Sequence, residues 1–160
     1  MTNTMEIERK FLVHETPELE RVMHQRLRQG YIATDSTEVR VRKAGDQCTL
    51  TCKRGSGLVR LEEEIGISQA QFHSLWSLTK DQRVDKTRYN IEFGTHVIEL
   101  DIYHGALTPL VVAEVEFESE SASNAFIAPD FFGLEVSDDK RYNNKNLALH
   151  VLSQRVPTAI

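Results

Sequence analysis

Charged and apolar residues alternate along eight segments of this chain, and no other feature constrains the fold as much. Successive side chains of a β-strand point to opposite faces, so each alternating segment predicts a strand with one polar and one apolar face. In the last segment, for example, Glu114 and Glu116 alternate with apolar neighbours. The predicted strands are 6–13, 26–34, 38–42, 49–53, 58–65, 83–93, 96–103 and 110–118. Eight such strands predict an antiparallel sheet that closes or nearly closes.

Helices are expected to cover the apolar outer face of this sheet. Phe72 and Trp76 recur at helical spacing after Ser68, and serine is a favoured residue at helix N-termini. The predicted helices are 18–25, 68–78, 119–127 and 139–152. No linker, long repeat or low-complexity tract divides the chain, so we expect a single α+β, mainly β domain over residues 1–160.

The composition argues against two classes of partner. The formal net charge is −5, whereas general nucleic-acid binding needs a basic surface. No apolar run approaches the roughly 20 residues needed to span a bilayer, so no membrane partner is expected. Cys48 and Cys52 lie four residues apart on one predicted strand, too distant for comfortable bridging, and are predicted to be free thiols. Free thiols favour a cytoplasmic location.

The charges on the polar strand faces are sorted by sign. The basic pairs are Arg40/Arg42 and Lys86/Arg88; the acidic pairs are Glu6/Glu8, Glu62/Glu64, Glu99/Asp101 and Glu114/Glu116. Adjacent like charges repel, and a bound ligand of opposite charge would offset that cost. For any one strand, a solvated face of a β-sandwich is the alternative. The strands taken together favour charged faces that point into the barrel, with an acidic wall for metal ions and a basic wall for phosphates.

The first predicted strand combines both kinds of ligand group. Glu6, Glu8 and Lys10 are spaced two residues apart and therefore share one face. Carboxylates bind hard divalent cations, and a lysine binds the phosphate that such a cation carries. The six histidines show no spacing typical of a zinc site, and the glycines near position 56 do not form a nucleotide-binding P-loop.

Glu6-x-Glu8-x-Lys10 resembles the ExExK signature of the CYTH domain family, the triphosphate tunnel metalloenzymes. Further residues resemble the family pattern in the same order: Glu38-x-Arg40-x-Arg42, Lys53, Glu62-x-Glu64, Lys86-x-Arg88, Glu99-x-Asp101, Glu114-x-Glu116 and the segment 138–142. The resemblance implies a closed eight-stranded antiparallel barrel that forms a tunnel. Within the family, the chain is most similar to small bacterial enzymes that hydrolyse inorganic tripolyphosphate with Mg²⁺ or Mn²⁺.

This resemblance suggests a role for each charged residue. The predicted substrate-binding residues are Lys10, Arg40, Arg42, Lys53, Lys86, Arg88, Lys140 and Arg141. The predicted metal ligands are Glu6, Glu8, Glu62, Glu64, Asp101, Glu114 and Glu116. Proton transfer is assigned to Lys10 or Lys86, with Tyr31 as the competing candidate, and the sequence does not decide among the three.

Other functions stay open at this stage. A class IV-like adenylate cyclase resembles the same fold and motif, but no aromatic platform for adenine is evident on the charged faces. A thiamine or nucleoside triphosphatase is a second alternative, and a non-catalytic polyphosphate-binding module is a third. The many carboxylates argue against pure anion binding. The sequence leaves open whether the chain forms a homodimer, because either helices or a partner can cover an apolar strand face.

Overall fold

β-Strands dominate the computed structural model, which describes residues 7–55 and 61–150. The strands are β1 (Ile7–Val13), β2 (His24–Thr34), β3 (Thr37–Ala44), β4 (Gln47–Arg54), β5 (Leu61–Ile67), β6 (Arg83–Phe93), β7 (His96–Tyr103), β8 (Val111–Phe117) and β9 (Phe132–Glu135). The α-helices are α1 (Gln69–Trp76), α2 (Glu120–Ala125) and α3 (Asn144–Ala148). Single 3-10 turns occur at Ser77–Thr79, Gly105–Leu107 and Lys140–Tyr142.

The strands form one mainly antiparallel sheet in the order β5-β4-β3-β2-β6-β7-β8-β1-β9. Each of the eight predicted strands has a counterpart in the described residues, and two of them, β6 and β7, have the predicted bounds. Residue 6 of the first predicted strand and residues 58–60 of the fifth lie outside the described part. The ninth strand was not predicted. The order has two ends, β5 and β9, which are not paired with each other in the described part of the chain. A mainly β fold is therefore confirmed, whereas closure of the sheet into a barrel is not.

The chain divides into two compact units, which we describe separately. Among the described residues, the first unit contains 7–25 and 87–139, and the second contains 26–55, 61–86 and 140–150. The first unit holds β1, β7, β8, β9 and most of β6, together with α2. The second holds β3, β4, β5 and most of β2, together with α1 and α3.

The core of the first unit is built from the apolar faces of three neighbouring strands. Ile98 on β7 lies opposite Val115 on β8, and Leu100 lies opposite Ala113. All four side chains are fully buried. This alternation is the one that the sequence predicts, and it leaves the acidic side chains of the same strands on the other face.

The core of the second unit lies between α1 and the apolar face of β3 and β4. Phe72 of α1 is buried with Val41 and Cys48, and its ring stacks on Trp76 with 5.2 Å between centroids. Ser68 caps α1 through a capping box with Gln71, so this start of the helix is as predicted.

Gly30 on β2 permits a close approach in the second unit. A Cβ atom at this position would lie 2.5 Å from Thr79 Oγ1, which is closer than a real contact allows. Glycine is therefore required for β2 to run beside the turn Ser77–Thr79.

Two helix predictions are wrong. Residues 18–25 form turns, and β2 already begins at His24. The predicted helix 139–152 is interrupted, because Asn143 accepts a hydrogen bond from the Asn146 N–H and thereby starts a separate short helix, α3. Residues 151–152 lie outside the described part. The ninth strand was missed because it has only four residues and includes a glycine.

The two cysteines are free thiols, as predicted, with Cys48 buried and Cys52 half-buried. In the described part of the chain, no helix has both the length and the apolar character needed to cross a bilayer.

Candidate active site

A row of charged residues crosses three strands of the first unit. Lys10 on β1 lies opposite Glu114 on β8, and Glu114 lies opposite Glu99 on β7. The Lys10 Nζ atom is 3.3 Å from Glu114 Oε1, and both side chains are more than four-fifths buried. The ammonium predicted to bind phosphate is thus balanced by a carboxylate predicted to bind metal.

The backbone around Lys10 is fixed by the segment that follows β9. The Lys10 N–H donates to Ser137 Oγ at 3.0 Å, and its carbonyl accepts from the Val136 N–H at 2.8 Å. A shift of β1 in register would break both of these hydrogen bonds. A shift of one residue would also turn the Lys10 side chain to the opposite face of the sheet.

Two carboxylates face each other in the next row of the same unit. Glu8 on β1 lies directly opposite Glu116 on β8. Like charges at this position repel, as the sequence predicts. A cavity of about 520 Å³ opens beside them, and its acidic lining residues are Glu8, Glu99, Glu114, Glu116 and Glu118. Glu6, the first residue of the motif, lies outside the described residues.

Arg88 on β6 is held by two acidic residues of the same unit. Its Nε and Nη2 atoms donate to the two carboxylate oxygens of Asp101 at 2.7 and 2.8 Å, and its Nη1 contacts Glu99. Asp101 is fully buried. Burial alone would lower the pKa of Arg88, but the hydrogen bonds and charge of Asp101 outweigh it and raise the pKa.

This geometry shows how two of the predicted site residues are held. Both oxygens of Asp101 accept hydrogen bonds from the Arg88 guanidinium, and three nitrogen atoms of Arg88 contact carboxylates. Asp101 and Arg88 therefore form a bidentate ion pair in which Asp101 is buried. The roles of Asp101 as a metal ligand and of Arg88 in substrate binding stay predictions.

The remaining acidic residues fit a divalent cation only in part. Within residues 7–55 and 61–150, no three acidic, histidine or cysteine side chains are grouped closely enough to hold a metal ion. Mg²⁺ commonly uses one or two carboxylates together with substrate phosphates rather than a cage of protein ligands. Glu8 and Glu116, with Glu114 beside them, supply oxygen donors of this kind along an open cavity.

The second unit presents its arginines differently. Arg42 on β3 lies opposite Gln29 on β2, and its Nε donates to Gln29 Oε1 at 2.8 Å. Gln29 Nε2 in turn lies 2.6 Å from the Tyr31 hydroxyl oxygen. Gln29 and Tyr31 are both buried, with 2% and 1% of their surfaces exposed. In this network the Nε of Arg42 is bonded to a neutral amide.

Tyr31 and Arg40 occupy the neighbouring row. They lie opposite each other on β2 and β3, and Arg40 Nε is buried with no hydrogen-bond partner within the described residues. Burial raises the pKa of Tyr31 above its ordinary value of 10.0, and the opposing effects of the Arg40 charge and the Gln29 hydrogen bond are smaller. The phenol is therefore protonated at neutral pH and can donate a hydrogen bond.

The predicted acidic residues of β5 pair within the second unit. Glu64 accepts a hydrogen bond from Thr51 Oγ1 at 2.7 Å, and Lys53 Nζ lies 3.5 Å from Glu62 Oε2. Both glutamates are exposed, since β5 is an edge strand. Arg40, Thr51 and Glu64 form one row across β3, β4 and β5.

Helix α3 contributes two residues that sequence reasoning missed. Lys86 is 2% exposed, and its Nζ donates to Asn144 Oδ1 at 3.3 Å. Lys145 Nζ lies 3.7 Å from Glu38 Oε2. The predicted residues of this region, Lys140 and Arg141, lie exposed on the preceding 3-10 turn. Lys140 and Arg141 follow from the family resemblance and stay predictions, and nothing in the local pattern marks Asn144.

The chain matches a known protein family and two named relatives. The family model of the CYTH domain matches residues 4–148. The inorganic triphosphatase of Nitrosomonas europaea is 49% identical over 150 residues, which cover 91% of this chain and 98% of that protein. The inorganic triphosphatase of Acetivibrio thermocellus is 37% identical over 145 residues, covering 89% and 92%.

A solved structure shares the fold. The crystal structure of an inorganic triphosphatase superposes with a TM-score of 0.79 at 46% identity, covering 91% of this chain and 95% of that one. The family model spans nearly the whole chain, and both relatives match it over almost their full length. The protein belongs to the CYTH domain family.

Proposed function

We propose that this protein hydrolyses inorganic triphosphate with the help of a divalent metal ion. The observation that carries the proposal is the environment of Arg40. Its Nε is buried and has no hydrogen-bond partner in the described part of the chain, and Arg42 lies two residues further along the same strand. Guanidinium donors of this kind suit a ligand with several negative charges.

The relatives support this choice of substrate. Two proteins that match this chain over almost their entire length are named inorganic triphosphatases, one of them at 49% identity. At this coverage, the relatives contain no additional domain that could supply the activity instead.

The basic residues of the second unit are proposed to bind the phosphates. Arg40 and Arg42 act through their planar donor groups, while Lys53 and Lys86 act as compact charges. Lys10, Arg88, Lys140 and Arg141 stay predicted contributors. Phosphoryl transfer depends mainly on in-line positioning and neutralised charge, and these side chains provide both.

The acidic residues are proposed to hold Mg²⁺ or Mn²⁺. Glu8, Glu114 and Glu116 would share one ion with the phosphates, and Glu6 would complete that set. Glu62 and Glu64 would assist a second ion. When bound, such ions neutralise phosphate charge and lower the pKa of a coordinated water.

The proton-transfer step is assigned to a lysine rather than to Tyr31. The raised pKa of Tyr31 keeps its proton in place at neutral pH, so its hydroxyl donates a hydrogen bond instead of taking a proton. Lys10 and Lys86 remain the two candidates, and both are largely buried.

Three further features are proposed on the basis of the sequence. They are a single domain over residues 1–160, a cytoplasmic location, and closure of the sheet into a barrel. Protection from limited proteolysis by tripolyphosphate would test closure and the single domain together. Cutting at the same sites and rates with and without the ligand would argue against both.

A substrate panel tests the proposed function. Tripolyphosphate, ATP and thiamine triphosphate are each incubated with Mg²⁺, Mn²⁺ or EDTA, and released phosphate and cyclic AMP are measured. We expect phosphate from tripolyphosphate only with metal, and no cyclic AMP. Cyclic AMP from ATP would identify a cyclase. Binding of tripolyphosphate without release of phosphate would identify a binding module, and either result would refute the proposal.

A further inference from the structure

Gln29 links two side chains that are assigned to the substrate. It is 2% exposed and lies between Arg42 and Tyr31, at 2.8 Å and 2.6 Å respectively. The sequence did not single it out, because glutamine on a strand is usually a solvated residue. Here it is among the largest fully buried polar side chains of the described chain.

The direction of the hydrogen bonds in this network is set by Arg42. A guanidinium has only donors, so the Gln29 oxygen must accept the hydrogen bond from Arg42 Nε. The amide NH₂ group of Gln29 is then the one that faces the Tyr31 hydroxyl, and it can only donate. The Tyr31 oxygen therefore accepts from Gln29, and its own O–H group is left free to donate elsewhere.

We propose that Gln29 is a positioning residue that fixes the Arg42 guanidinium and directs the Tyr31 hydroxyl proton toward a phosphate oxygen of the substrate. This inference rests on the proposed triphosphatase function. Because one rigid amide contacts both groups, Arg42 and Tyr31 are oriented together before substrate arrives. Such preorganisation lowers the cost of ordering these groups during the reaction.

The surrounding residues favour this assignment. Arg42 lies opposite Gln29 and Arg40 lies opposite Tyr31 in the β2–β3 register, so the backbone brings both pairs together. The positive charge of Arg40 also acts on the Tyr31 hydroxyl. Because the Tyr31 oxygen accepts from the Gln29 amide, its own proton points away from that amide and toward another acceptor. Burial raises the pKa of Tyr31, so this proton is retained at neutral pH.

Gln29→Glu tests the proposal with little change of shape. The carboxylate keeps an acceptor for Arg42, but it cannot donate to Tyr31, whose O–H would turn toward it. If Tyr31 donates to substrate, kcat for tripolyphosphate should fall at least about tenfold, since a lost transition-state donor costs about 100-fold or more when fully removed. Gln47→Glu adds the same charge at an exposed position of β4 and should leave kcat unchanged.

A double-mutant cycle separates positioning from simple charge repulsion. The loss of kcat caused by Gln29→Glu should be about tenfold smaller in a Tyr31→Phe background than in the wild type, because the hydroxyl is already absent. Equal losses in both backgrounds, or an unchanged kcat, would overturn the proposal. Gln29→Met has no charge and should raise KM as well, since Arg42 is released. If Gln29→Glu fails to fold, the same cycle with Gln29→Met tests whether the effect of Gln29 depends on the Tyr31 hydroxyl.

A negative result of the double-mutant cycle can be distinguished from a failure of the proposed function. A wild-type enzyme that releases no phosphate from tripolyphosphate with Mg²⁺ or Mn²⁺ would refute the triphosphatase proposal and this inference with it. An active wild type with an additive cycle would refute only the role of Gln29. Circular dichroism and thermal unfolding of each variant confirm that the folded fractions are equal.

Discussion

Arg88 in the first unit and Arg42 in the second have the same side chain but opposite environments. Arg88 contacts two carboxylates, and its bidentate partner Asp101 is fully buried. Arg42 donates to the neutral amide of Gln29. Arg88 is therefore held by negatively charged partners, whereas the Nε of Arg42 is held by an uncharged side chain. Two arginines with similar sequence patterns can thus be oriented by partners of different charge.

The same contrast holds for the wider sets of charged residues. In the first unit, Lys10 is paired with Glu114, and Glu8 lies opposite Glu116. In the second unit, Lys86 donates to the neutral amide of Asn144. The first unit thus concentrates acidic groups suited to cations, and the second contains most of the basic residues predicted to bind anions.

The largest expected effect concerns stability in the first unit. Arg88→Leu leaves Asp101 buried and without its bidentate partner, so we expect a loss of about 3–5 kcal/mol in the free energy of unfolding. Arg42→Leu should lose less, because its hydrogen-bond partner Gln29 carries no charge. Urea denaturation of both variants measures the difference.

A matched double variant checks the cause. Arg88→Leu combined with Asp101→Leu removes both charges and should recover most of the lost stability. Equal losses for Arg88→Leu and Arg42→Leu, or no recovery in the double variant, would break the contrast between the two arginines.

The next effect concerns catalysis by the acidic residues. Glu116→Gln removes a proposed metal ligand and should lower metal-dependent phosphate release about 100-fold at saturating tripolyphosphate. Its unfolding free energy should stay constant or rise, because the repulsion with Glu8 is relieved. Initial rates over a Mg²⁺ titration measure this. Glu120→Gln, an exposed acidic residue of α2, is the control and should retain wild-type rates. Normal activity of Glu116→Gln would remove this residue from the metal set.

A smaller effect is expected from Arg42→Lys. The charge remains, but the Nε–H group that contacts Gln29 and the planar fork are lost. We expect KM for tripolyphosphate to rise about tenfold, while stability changes by less than about 1 kcal/mol. Steady-state kinetics over a range of tripolyphosphate concentrations measure the change. Lys43→Arg, a half-buried position on the same strand, supplies a control of opposite sense. An unchanged KM would show that charge alone suffices.

The smallest effect concerns a second bidentate pair of the first unit, Arg9 and Glu135. The Arg9 hydrogen bonds lower the pKa of Glu135 below its ordinary value of 4.5. A lowered folded-state pKa means that the stabilisation is present above about pH 4.5 and is lost as pH falls below it. The pair is partly exposed, at 25% and 40%, so the contribution should be less than about 1 kcal/mol.

Unfolding at several pH values tests this last point. Glu135→Gln should flatten the acid limb of the stability curve slightly and leave neutral-pH activity intact. A loss as large as that of Arg88→Leu would show that bidentate geometry, rather than burial, sets the value of these arginine pairs.

The alternation of charged and apolar residues predicted most of the fold. All eight predicted strands are present, because period-two burial is a strong and local signal. The helix predicted over 18–25 is wrong and the last helix is broken, since short segments are decided by turns and caps. Closure of the sheet depends on contacts between strands far apart in sequence, which a strand pattern does not contain.

The candidate site was predicted as a set of residues but not as a set of partners. Glu8, Lys10 and Glu116 fall on one face because their spacing requires it. The hydrogen bonds of Arg88 with Asp101 and of Arg42 with Gln29 depend on which strands lie side by side, and the sequence pattern does not contain this information. A charged residue in the sequence therefore indicates which chemistry is available, while its partner indicates whether that chemistry is free.

Titration calorimetry of tripolyphosphate in EDTA tests the central division between the two units most directly. Without metal, Arg40→Ala should weaken binding about tenfold or more, because a guanidinium that binds the anion is lost. Glu116→Gln should bind as tightly as the wild type or more tightly, since only a repulsive charge is removed. Equal weakening by both variants in EDTA would contradict the assignment of the acidic residues to the metal and of the basic residues to the phosphates.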